Sequence, residues 1–192
     1  PDLLELLIRK TDGVPLYVEE LTKDLLESRL LREQAGQLQL ASSPLDVAVP
    51  FSLQDSLTSR LDRLGTARRL AEVASVLGRE FSDEWIRAVY DGDTTTLASG
   101  LQALCDADIL VRQDADPQHS YLFRHALLRD AAYASLLIRR RQQLHARVAR
   151  LLESTWTDTA HTHPELVAHH YTEAGLVAQA IGYWQRAGLL AV

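Results

Sequence analysis

Apolar side chains recur every three to four positions along most of the chain, and the period shortens at only two places. After Val14-Pro15, the residues Leu16, Val18, Leu21, Leu25, Leu26 and Leu30 keep helical spacing, with a proline of preset φ at the helix start. Before them Leu3, Leu4, Leu6, Leu7 and Ile8 predict an amphipathic turn or two that ends at Thr11-Asp12-Gly13, so two helices meet at a Gly-x-Pro. Residues 32–50 contain Gly36, Ser42, Ser43, Pro44 and Pro50, with alternation at Leu38 and Leu40. That predicts a linker holding one short strand.

From Phe51 the pattern becomes a set of short helices. Leu53, Leu57, Leu61 and Leu64 form one face and Gly65 ends it; Ala67, Leu70, Ala71, Val73, Ala74 and Leu77 form the next, ended by Gly78. A third helix follows Ser82-Asp83 through Trp85, Ile86 and Val89, and a fourth spans about residues 95–106 with Leu97, Leu101 and Leu104 inward. The period then falls to two at Ile109, Leu110 and Val111 and again at Tyr121, Leu122 and Phe123, either side of a polar turn containing Asp116-Pro117, which predicts a β-hairpin. Helices followed by a hairpin is the order of a winged-helix domain. A long helix or helix pair follows over about residues 126–156. After His161-Thr162-His163-Pro164 come two more helices, at about 165–173 and 177–187, parted by Ala174-Gly175-Leu176. This last pair reads as one unit of a helical repeat, which stacks on neighbours to bury its face. The fold class predicted is mainly α: a helical lid, a winged-helix domain with one β-hairpin, and a repeat-like α-hairpin.

Composition narrows the function classes. Of 192 residues 46% are apolar and 24% charged, with 9 glycines and 6 prolines, which fits a globular chain with a real core. Cys105 is the single cysteine, so no disulfide framework and no cysteine-based zinc site can form, and a reduced, cytoplasmic setting is the default. The chain contains no methionine and begins at Pro1; it reads as an excised piece of a longer protein. No apolar run approaches the ~18 residues of a membrane span. Residues 120–150 carry seven arginines and one acid, a local charge of +6 that leaves −12 on the remainder of a chain of net charge −6. The Arg139-Arg140-Arg141 run with Arg147 and Arg150 reads as a solvated helix face or the partner of intramolecular acids, with docking onto another domain as the other reading.

Three strings in order carry a resemblance. They are Asp12-Gly13-Val14-Pro15-Leu16-Tyr17-Val18-Glu19-Glu20-Leu21; Val49-Pro50 with Leu53-Gln54-Asp55-Ser56-Leu57 and Arg60-Leu61-Asp62-Arg63-Leu64; and Phe123-Arg124-His125-Ala126-Leu127-Leu128-Arg129-Asp130-Ala131-Ala132-Tyr133. Together they resemble the C-terminal half of the ATPase module of bacterial STAND-class signal-transduction ATPases, relatives of the AAA-type ATPases fused to class III adenylate or guanylate cyclases and to LuxR-type regulators. The stretch Pro164-Glu165-Leu166-Val167-Ala168-His169-His170-Tyr171-Thr172-Glu173-Ala174-Gly175 resembles the start of the tetratricopeptide-like region of the same proteins.

The resemblance implies a lid over residues 1–40, a linker over 41–50, a winged-helix domain over 51–125, connecting helices over 126–160 and the first helical repeat over 161–192. It implies ATP or ADP as the ligand of the intact protein, bound mainly by an upstream P-loop domain, with no cofactor for this segment alone. Gly13 and Pro15 would be the lid contacts, the proline packing on adenine, and His125 the sensor of the ADP β-phosphate that locks the inactive state. The implied partners are the nucleotide-binding and effector domains of the same chain and a protein partner on the repeats. Read without the resemblance, Gly13-Val14-Pro15 is a helix-to-helix turn and His125 a packing residue after a strand.

No enzyme site is legible. A P-loop requires Gly-x-x-x-x-Gly-Lys-Ser/Thr, and no glycine here precedes a lysine. Cys105 sits on a leucine-spaced helix and no Gly-x-Ser-x-Gly elbow exists. His161, His163, His169, His170 and Glu173 crowd into 13 residues, but the pattern His-Glu-x-x-His is missing; loop and helix-packing roles account for them, and no metal is predicted. The alternative function, a winged-helix DNA-binding regulator, requires basic residues on the helix before the hairpin. That segment has none and carries Asp106 and Asp108, so direct DNA binding is not expected.

Overall fold

The computed structural model describes residues 8, 11, 14–27, 31–34, 37–40, 53–115 and 118–190, in two compact units, Pro1–Arg63 and Leu64–Val192. The fold is mainly helical with two small antiparallel sheets, of two and three strands, in keeping with the mainly α class that the periodicity predicts.

In the first unit helix α1 (Pro15–Glu27) begins at its proline and buries Tyr17, Leu21 and Leu25 on one stripe. Helix α2 (Leu53–Asp62) packs on it and buries Leu57 and Leu61. The same interface encloses charges: Arg60 Nη1 donates to both carboxylate oxygens of Glu20, at 2.5 Å to Oε1, with the two side chains 5% and 1% exposed at residue level. Strands β1 (Leu31–Gln34) and β2 (Gln37–Leu40) pair antiparallel from Leu31 with Leu40 to Gln34 with Gln37. The alternation at Leu38 and Leu40 thus marks one arm of a hairpin, where the sequence predicts a single strand. The remaining linker residues, the opening helix up to Leu7, and Gly13 lie outside the described residues.

The second unit is built around helix α3 (Thr66–Leu77), which buries Ala67, Leu70, Ala71, Val73, Ala74, Val76 and Leu77. Each larger side chain withdrawn in this way contributes about 1.5–3 kcal/mol. Gly78, at φ 132°, turns the chain into strand β3 (Glu80–Ser82). Ser82 then caps helix α4 (Asp83–Val89), its Oγ accepting from Trp85 N, and Asp93 caps helix α5 (Thr94–Asp106) through Thr96 N at 2.8 Å. A Cβ added at Gly100 would stand 2.9 Å from Leu70 Cδ2, so the glycine lets α5 lie close on α3. Strands β4 (Leu110–Ala115) and β5 (Gln118–Phe123) form the predicted hairpin, and β3 pairs with the other edge of β5. The strand β3 was not evident from three residues of sequence; Phe81 places its ring on Tyr121 and near Phe123 beneath the sheet.

Of the two forms predicted over residues 126–156, a long helix or a helix pair, the structure shows the pair, α6 (Ala126–Ser135) and α7 (Ile138–Ser154), broken where Leu136 and Leu137 take extended backbone. A short helix α8 (Thr157–Thr162) follows and includes His161, for which the sequence reading gave a loop role. Helices α9 (Pro164–Glu173) and α10 (Val177–Leu190) form the predicted α-hairpin, turned by Gly175 at φ 74°. Helix α3 packs on α6 and α5, and α7 packs on α9. Trp85 and Trp156 stack at 4.8 Å, and the Trp156 indole N–H donates to Glu84. No helix among the described residues is long and apolar enough to cross a membrane.

The enclosed Glu20–Arg60 pair gives the first unit a test. Glu20→Ala removes the carboxylate to which buried Arg60 donates and lowers stability by about 3–5 kcal/mol in urea unfolding, while Glu20→Leu with Arg60→Met restores most of it. Equal loss in the single and double variants would show that the pair's charge is not what matters.

Candidate functional site

Of the residues singled out from sequence, Gly13 lies outside the described residues. Pro15 is the first, exposed residue of α1 in the first unit. His125 stands in the second unit between β5 and α6 as the N-cap residue of that helix, with extended backbone at φ −127° and ψ 137°. Its carbonyl accepts from Leu128 N at 3.1 Å, and its half-buried side chain makes no capping bond. The first amide groups of α6 are therefore left without a side-chain acceptor from the cap, a polarity that suits an anion.

The basic run is largely spoken for within the second unit. Arg140 pairs with Asp91 at 2.9 Å and holds its carboxyl below the usual range. Arg147 donates to Ala88 O at 2.8 Å, and Arg129 and Arg141 lie over the Tyr133 ring at 5.1 and 5.0 Å. The Arg140–Asp91 pair borders a cleft of ≈ 530 Å³ whose lining includes Arg69, Glu72, Tyr90 and Leu136.

A polar cluster that sequence reading did not assemble lies where α6, α7 and α9 meet. His145 and His170 are each 1% exposed, with their Nδ1 atoms 2.9 Å apart. Tyr133 Oη is 2.9 Å from His145 Nε2 and donates to Glu173 Oε2 at 3.0 Å. Those contacts fix the protons. The tyrosine proton goes to the carboxylate, so the Tyr133 oxygen accepts from His145 Nε2–H; the neutral His145 ring then offers Nδ1 as acceptor, and His170 donates from Nδ1–H. The chain of donors runs from α9 through α7 to α6 and back to α9.

Burial is the main reason that both rings stay neutral. It lowers His145 to about 4, helped by His169 and by the more distant Arg141 and Arg129 and opposed by Glu173. It lowers His170 to about 3, with His145 and His169 adding to the effect. Burial together with the bond to Glu173 raises the Tyr133 hydroxyl. The sequence predicts that His169 or His170 packs between helices, and it is His170 that does, with His169 exposed; His145 was passed over. Its signal was its position beside Leu144 in the apolar stripe of α7 that continues through Val148 and Leu152.

The sign of the pH effect follows. A histidine whose folded value is depressed binds its proton in the unfolded chain first, so stability is fully present above about pH 6.5 and is lost as pH falls toward 4. Urea unfolding of the chelator-treated chain should show about 2 kcal/mol less stability per buried histidine at pH 5 than at pH 7, before most carboxylates titrate. A midpoint unchanged between those pH values would contradict two buried neutral imidazoles.

No protein-family model matches the chain. It is 31% identical over 194 residues to an uncharacterized protein of Rhizobium meliloti (strain 1021), and the match takes in 98% of this chain. The chain spans 18% of the length of that curated relative.

Proposed function

We propose that this chain is a regulatory, non-catalytic part of a STAND-class signal-transduction ATPase. It closes over ADP or ATP held by an upstream P-loop domain and couples that state to a helical-repeat sensor and an effector domain, a cyclase or a transcription regulator, in the cytoplasm. The observation that carries this reading is the placement of His125. It stands between the β-hairpin and α6 as the N-cap residue of α6, the helix that two turns later supplies Tyr133 to the buried histidine cluster. A phosphate drawn to the α6 N-terminus would thus act on an element tied to the α9–α10 hairpin.

The supporting chemistry is simple. An imidazole donates to a phosphate oxygen, and exposed amides at a helix start favour the same charge. Pro15, exposed at the start of α1, offers a rigid apolar plate of the kind that packs on a base. His125 and Pro15 are residue types that suit contact with a nucleotide, and this sequence holds no P-loop motif. DNA reading finds no comparable support: α5, before the hairpin, has no lysine or arginine, and its Gln102 amide donates to Asp106.

In the full-length protein, His125→Ala should weaken ADP retention by about 10- to 100-fold, the loss of one hydrogen bond to a charged group, and raise basal effector output. Unchanged ADP affinity and unchanged output would remove His125 from the sensor.

A further inference from the structure

The cleft of ≈ 530 Å³ in the second unit has the size of a small-molecule site. Val73, Leu136 and Leu144 line it from the core side, all three buried, and its remaining walls are mostly charged. How those charges are paired decides what fits. Arg140 meets Asp91 at 2.9 Å. Glu72 takes Arg68 Nε at 3.1 Å and accepts from the Ser135 hydroxyl at 3.2 Å. Arg69 lines the same cleft from the solvent side and has no hydrogen-bond or ion-pair partner among the described residues. The described lining therefore carries one uncompensated positive charge beside an apolar base. We propose that this cleft binds a small organic monoanion, a carboxylate with an apolar body, through Arg69.

Each part of the site has a physical reason. The planar guanidinium of Arg69 matches the two oxygens of a carboxylate with two parallel N–H donors. Glu72 and Asp91 have their own cationic partners, so a single negative charge on the ligand meets no bare carboxylate. A phosphate dianion fits less well, because its second charge would stand near those two acids with no further cation to balance it. An ammonium group would be repelled by Arg69, and a neutral molecule would leave it unpaired. The ligand body rests on Val73, Leu136 and Leu144, with Tyr90 as an aromatic side wall. That wall is built in place. A Cβ at Gly92 would stand 2.4 Å from Tyr90 Cε1, so the glycine lets the ring lie over its backbone. The turn that carries Tyr90 is tied to α7 by the Arg140–Asp91 pair and by Arg147, which donates to Ala88 O at 2.8 Å. Walls fixed before the ligand arrives reduce the ordering cost of binding.

The test titrates the chain with phenylpropanoate, followed by calorimetry and by amide shifts in NMR. One-site binding with a Kd of about 0.1–5 mM is expected, with the largest shifts at residues 69–73, 90–92 and 136–144. Phenylpropanol and phenylpropylamine keep the ring and lose the negative charge; they should bind at least about 10-fold more weakly, as should inorganic phosphate. Arg69→Gln changes an exposed side chain and should weaken phenylpropanoate at least about 10-fold. Arg139→Gln removes an exposed charge that does not line the cleft and should leave affinity unchanged. Absence of saturable binding overturns the site, as do shifts centred on the exposed apolar residues of α10, an alcohol that binds as tightly as the acid, affinity that survives Arg69→Gln, or an equal loss in Arg139→Gln. Circular dichroism of both variants confirms that the helices are retained.

Discussion

Two histidine rings enclosed where α6, α7 and α9 meet are the constraint on which the second unit depends. Neither ring can be charged there without large cost, and neither can lose its partner without leaving a polar atom unmet in an apolar setting. The contacts with Tyr133 and Glu173 resolve this by assigning every proton along one direction. As a result three helices separated by up to 40 residues are held in one register by donors and acceptors, in addition to the apolar contacts around them. The first unit uses a related device at smaller scale, where Arg60 of α2 meets Glu20 of α1 inside their interface.

Helix α6 gains its interest from standing between two features. At its start is His125, with a helix N-terminus that no side chain caps from that position; two turns on is Tyr133, bound into the cluster. In the proposed coupling, a phosphate near the first feature biases the position of α6, and the cluster carries that bias to α9. The donor chain ties α6, α7 and α9 together through side-chain hydrogen bonds. An element with two defined arrangements transmits a ligand's preference, whereas a deformable one dissipates it.

Most of the architecture was legible because it rests on periodicity. Leu70, Ala71, Ala74 and Leu77 announce α3, Leu97, Leu101 and Leu104 announce α5, and the period-two runs around residues 110 and 122 announce the hairpin. What escaped were features set by tertiary partners. Strand β3 is three residues long and is defined by its pairing with β5. A helix pair over residues 126–156 was one predicted form, but not the place of its break, at Leu136 and Leu137, which have good helical propensity and no glycine or proline to mark the stop. Helix α8 hides among threonines and histidines. The histidine cluster draws on residues 12 and 25 positions apart in sequence. Spacing within one segment could show that His169 and Glu173 share a helix turn, but not that His145 completes the group from another helix.

Hydrogen exchange on the full-length protein, loaded first with ADP and then with a non-hydrolysable ATP analogue, tests the proposed coupling most directly. Amide protection in α6 and in α9 should change together between the two nucleotides, and Tyr133→Phe should leave the change in α6 while reducing it in α9. Exchange through residues 126–190 that is the same with either nucleotide would contradict the coupling.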